Sequence, residues 1–153
     1  PLPGSSGDGH RHGAGSRAQA EIEAMSAALE SYKADNGIYP QEISTDAQSS
    51  VNPSGYTGGS FVLYQALSGD AGGNRGVDPG SKGYFAFKDN QLFPPSTATP
   101  NTVQYVQDPF GSCYGYSTLN STDSSKGYNP TFDLWSTAGS SDTAGQTGWI
   151  KNW

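Results

Sequence analysis

The clearest hydrophobic pattern along the chain lies near its start. Between Ser16 and Lys33 there is no Gly or Pro, and Ile22, Met25, Leu29 and Tyr32 recur at spacings of three, four and three. That period places them on one face of an α-helix. Ala18, Ala24 and Ala28 widen the face or let another surface approach closely, while Glu21, Glu23, Glu30 and Lys33 fall mostly on the other side. Asp35-Asn36-Gly37 supplies a left-handed stop and Pro40 follows it. A second, shorter helix is predicted over residues 60–69, with Ser60 as N-cap, Gly69 as the terminating glycine, and Phe61, Leu63, Tyr64 and Leu67 facing the core.

Beyond Gly69 the periodicity shortens. Strand-like runs are predicted at 83–88, 102–107, 113–118 and 131–136, with a short apolar stretch at 91–93 and a final apolar stretch at 149–153. Turn signals separate them: Asp89-Asn90, Pro94-Pro95 and Asp108-Pro109-Phe110-Gly111. The expected fold class is α+β: a long N-terminal α-helix packed on a C-terminal antiparallel sheet of three or four strands, with long loops. Residues 1–16 are Gly/Ser-rich, carry His10 and His12, and are read as an expression-tag remnant or disordered linker preceding a domain at 17–153. The chain opens at Pro1 without an initiator Met, which reads as a processed or truncated product.

Composition narrows the function classes. Of 153 residues, 33% are hydrophobic, 14% charged and 12% aromatic. So few aliphatics leave the rings to build the core, and so many rings argue against a disordered chain. The formal net charge of -6, with no Lys/Arg cluster, excludes binding to a nucleic-acid backbone through charge. No run of ~18 apolar residues is present to span a bilayer.

Candidate chemistry is sparse. Both histidines lie in the N-terminal tract, Cys113 is the only cysteine, and no phosphate-binding glycine loop occurs. No catalytic centre is expected, and Cys113 reads as a small buried residue. Calcium is the one ligand with a pattern behind it. Asp70, Asn74 and Asp78 are spaced by four in a glycine-rich loop, and Asp142 lies in the last loop. The competing reading is that such residues simply make turns. Tyr84, Tyr114, Tyr116, Trp135 and Trp153 are candidate sugar-stacking rings, with core packing the preferred alternative.

Three segments, in order, resemble the type II secretion pseudopilins, especially the major G-type subunit, and related type IV pilin-like proteins. Tyr32-Lys33-Ala34-Asp35-Asn36-Gly37-Ile38-Tyr39-Pro40 resembles the close of the pilin helix. Asp108-Pro109-Phe110-Gly111 with Tyr114-Gly115-Tyr116 resembles the family's turn and strand. Phe132-Asp133-Leu134-Trp135-Ser136, with Gly139, Asp142, Ile150 and Trp153, is similar to its ending. The resemblance implies a non-catalytic structural subunit of a pseudopilus. Its precursor is anchored in the inner membrane by a hydrophobic helix, trimmed by a prepilin peptidase and methylated. Its partners would be other pseudopilin subunits, met through the N-terminal helix, and the inner-membrane secretion platform. These residues would then be the soluble periplasmic domain. The resemblance also makes Asp142 a calcium ligand, although Gly148-Trp149 stands where the family has further acids. Two other functions are carried beside it: an extracellular carbohydrate- or calcium-dependent binding module, and a type IV pilin of an adhesion or DNA-uptake fibre.

Overall fold

The computed structural model describes residues 5–46, 53–140 and 146–153, with side chains described from 13 and 55 onward in the first two segments. The elements are α1 (Ser5–Asn36), α2 (Thr57–Ser68), β1 (Leu92–Phe93), β2 (Tyr105–Val106), β3 (Gly115–Ser117), the single turn α3 (Leu119–Thr122), β4 (Asp133–Ser136) and β5 (Ile150–Lys151). The fold is α+β, with a long N-terminal helix and two small antiparallel sheets.

The predicted stripe is the buried face of α1. Ile22, Met25 and Leu29 are buried there, joined by Ala18 and Ala28, whereas Tyr32 is half-buried and Ala24 is exposed. The helix begins upstream of Ser16, and Ala14 extends the buried line by one turn. Gly37 ends it as expected, with φ at 84° and its N–H donating to the Lys33 carbonyl at 2.7 Å. α2 stops at Gly69 in the same way (φ 76°, N–H to the Gln65 carbonyl).

Ser60 differs from expectation. It sits one turn inside α2, buried, where its hydroxyl accepts the Val106 N–H at 2.9 Å and contacts the Val106 carbonyl at 3.3 Å. A tertiary partner has taken the hydroxyl that a helix start would have used. The run 83–88 also forms no strand. The N–H groups of Tyr84 and Phe85 both donate to the Leu67 carbonyl at the end of α2, at 2.7 and 2.9 Å. They satisfy the helix terminus rather than a ladder.

The C-terminal sheet has three strands in the order β3-β4-β5, and β1 pairs with β2 separately. Register sets Gly115 opposite Trp135, Tyr116 opposite Leu134, and Ser117 opposite Asp133. Alternation along β4 then supplies two cores. Leu134 joins Tyr114, Tyr116, α1 and α2 in the larger one. Trp135 points the other way and meets Tyr56, Cys113 and Trp149 in the smaller.

Candidate functional site

The three segments singled out by resemblance meet in the folded chain. At the end of α1, Lys33 lies 4.7 Å over the Tyr39 ring, Asp35 pairs with Lys82 at 2.7 Å, and the Tyr39 hydroxyl donates to Glu30 at 2.5 Å. Tyr39 also packs edge-on against Phe132, with ring centroids 5.1 Å apart. The Pro40 carbonyl accepts the Tyr116 hydroxyl at 2.6 Å. The helix end is thereby fastened to β3 and to the approach of β4.

Asp108 organises the second segment. Its Oδ1 accepts the N–H groups of Phe110 (3.0 Å) and Ser112 (2.8 Å), closing the turn. Its Oδ2 accepts the Ser136 hydroxyl at 2.6 Å, tying the turn to β4. Burial raises the Asp108 pKa, and the Ser136 hydroxyl and the turn's N–H groups oppose that shift. Asp133 acts similarly at the other end of β4, accepting the N–H groups of Tyr128 and Asn129 at 3.0 and 2.9 Å. Tyr114 completes the connection, donating its hydroxyl to Glu21 of α1 at 2.7 Å.

An open groove of about 830 Å³ runs between the first half of α1 and the segment joining β4 to β5. Gly15, Ser16 and Gln19 form one wall and Phe110, Ala138 and Ile150 face them. Comparison with protein-family models, with curated proteins and with solved structures finds no match for the chain. What the sites can do is therefore read from their own geometry.

In the 70–78 loop the oxygens face the loop's own backbone. Asp70 is buried and accepts the N–H groups of Gly73 and Arg75 and the Tyr64 hydroxyl, at 3.0, 2.7 and 2.6 Å. Asn74 accepts the Gly76 N–H and Asp78 accepts the Ala71 N–H. These are turn-making contacts, and no cluster of three or more His, Cys, Asp or Glu suited to a metal occurs among the described residues. Arg75 clamps the loop from outside. Its guanidinium donates to Asp89 and to the carbonyls of Asn101 and Pro94. Sequence reading missed Arg75, whose three acceptors are distant in the chain. Asp142 lies outside the described residues, as do the side chains of His10 and His12.

The candidate sugar-stacking rings are mostly core. Tyr114, Tyr116 and Trp135 are completely buried. Trp153 stacks on Tyr128 at 4.4 Å, and Tyr84 is held edge-on by Tyr32 and hydrogen-bonded to Asp35. The Cys113 thiol is buried and pushed up to about 12 by that burial, so at neutral pH it carries a proton. Among the described residues no helix is long and apolar enough to cross a membrane.

Proposed function

We propose that the chain is the periplasmic domain of a type II secretion pseudopilin, a structural subunit that assembles with its own kind through α1 to support protein export. One observation carries the reading. The three segments that resemble the family form a single connected unit, in which the helix end, the Asp108 turn and β4 hold one another through Tyr39–Phe132, Tyr116–Pro40 and Asp108–Ser136.

The architecture supports the same role. α1 has 32 residues, roughly 48 Å at 1.5 Å per residue, and from Gly13 onward, where its side chains are described, it buries one stripe against the body. The opposite face, including Gln19, Glu23 and Ala24, is exposed and available to neighbours. In this reading the pilin-like body is a rigid handle, and the periplasmic location and membrane-anchored precursor follow from the family.

The gene tests the proposal directly. The coding sequence upstream of Arg17 is expected to hold a prepilin-type leader and ~20 apolar residues in frame with the helix. A cleavable signal peptide placed directly ahead of the helix overturns it.

A further inference from the structure

The smaller core is a chain of oxidisable rings that runs from the interior to the surface. Tyr56 and Trp135 meet edge to face at its inner end, with ring centroids 5.0 Å apart. Trp135 stands parallel to Trp149 at 6.3 Å and edge-on to Trp153 at 5.8 Å. Trp153 then stacks on Tyr128, 4.4 Å away and within 4° of parallel. Trp135 and Trp149 are buried, Trp153 is half-buried, and Tyr128 is 39% exposed. At these spacings neighbouring π-systems touch, and an electron passes readily from ring to ring.

The inner rings have nowhere to send a proton. The indole Nε1 atoms of Trp135 and Trp149 and the Tyr56 hydroxyl are buried without a hydrogen-bond partner among the described residues. An indole that loses an electron becomes a cation and a strong acid. With no acceptor for its N–H, the charge stays in an apolar core, where an unpaired charge is costly. The outer rings differ. Trp153 donates its Nε1–H to Gln146 Oε1 at 3.3 Å, and the Gln146 amide donates to the Tyr128 hydroxyl at 2.8 Å. The Tyr128 oxygen therefore accepts from Gln146 while its own proton is left for water. The Lys151 ammonium lies 5.4 Å over the Trp153 ring, which disfavours positive charge there by like-charge repulsion.

We propose that this cluster carries a one-electron oxidation of its tryptophans outward to Tyr128, which makes Tyr128 the oxidative modification site of the domain. The inference is independent of the secretion role. The co-reactant is a one-electron radical oxidant. It takes one electron from an indole and is itself reduced to its anion. Tyr128, through Trp153, supplies the electron that restores the indole, and its phenolic proton goes to water. A neutral phenoxyl radical remains at the surface. There a thiol in solution returns one electron and one proton, becoming a thiyl radical, and the buried Trp135 is spared.

Azide radicals made by pulse radiolysis oxidise tryptophan in preference to tyrosine, and absorption distinguishes the indolyl radical from the phenoxyl. The indolyl signal is expected to decay as the phenoxyl signal rises, in one first-order step whose rate is independent of protein concentration. Tyr128→Phe keeps the stacked ring but removes the phenol, so it should abolish the rise and prolong the indolyl signal. Trp153→Phe should slow the rise, whereas Tyr56→Phe and Tyr105→Phe should leave it unchanged. A rise that persists in Tyr128→Phe overturns the proposal. So does a rise that depends on concentration, one that is lost with Tyr56 or Tyr105, or its absence from the unaltered protein with the Cys113 thiol consumed in its place.

Discussion

Gly115 faces Trp135 across the β3–β4 ladder, and a Cβ built there would lie 2.0 Å from the indole Cε2 and 2.2 Å from Cζ2. Trp135 is completely buried among Tyr56, Cys113 and Trp149, so the ring has nowhere to retreat. Gly115→Ala is therefore expected to destabilise the fold towards the upper end of the ~1–3 kcal/mol typical of overpacking. Urea denaturation reads the loss, and tryptophan emission reports the displaced ring, because all three tryptophans share this cluster. An unchanged midpoint would show that Trp135 can leave its place over the glycine. Such a constraint is invisible in sequence, where Tyr-Gly-Tyr reads only as a strand with a small residue. Asp70 shows the complementary case. Its glycine-rich surroundings read equally well as a cation loop or as turns, and only the inward direction of its oxygens separates the two.

At the scale of elements, what local chemistry decides was legible and what pairing decides was not. The stripe of α1 and the left-handed glycines at 37 and 69 follow from periodicity and backbone freedom, which neighbours in sequence determine. The strand run at 83–88 had the right residues, but the chain uses its N–H groups on the end of α2. The meeting of Glu21 with Tyr114 and Gln91 could not be read at all, since these residues join only through the packing of α1 on the body. Ser60 makes the distinction measurable. An N-cap hydroxyl is worth typically ~1 kcal/mol. Here the hydroxyl instead satisfies the buried N–H of Val106, which Ser60→Ala would strand at a cost of about 1–3 kcal/mol. Hydrogen exchange separates the two roles. The Val106 amide should lose protection in the variant while the first turn of α2 keeps its own. Selective fraying of that turn would restore the capping role.

Over the whole molecule, two sets of buried carboxylates pull stability in opposite directions with pH. Burial acts to raise Asp70, but the Tyr64 hydroxyl and the N–H groups of Arg75, Asn74 and Gly73 outweigh it and leave the group below its ordinary value. Asp108 and Asp133 stand above theirs, because burial outweighs the hydrogen bonds they accept. The signs follow from proton linkage. A depressed group contributes stability that is present above its unfolded pKa, about 3.9, and lost as pH falls through the lower folded value. A raised group makes the folded state bind protons more readily. Stability then falls as pH climbs from the unfolded value through the folded one. A net charge of -6 adds self-repulsion that weakens as carboxylates protonate. The melting midpoint should accordingly be highest near the unfolded carboxylate value, at pH ~4, lower at neutral pH, and should drop as the pH falls below ~3. Asp108→Asn isolates one contributor, since an amide fits the same space, keeps an oxygen for the turn and can donate to Ser136. Its slope between mild acid and neutrality should be flatter than that of the unaltered protein. An identical slope would move the dependence away from the buried link between the Asp108 turn and β4, and onto Asp133 or the overall charge.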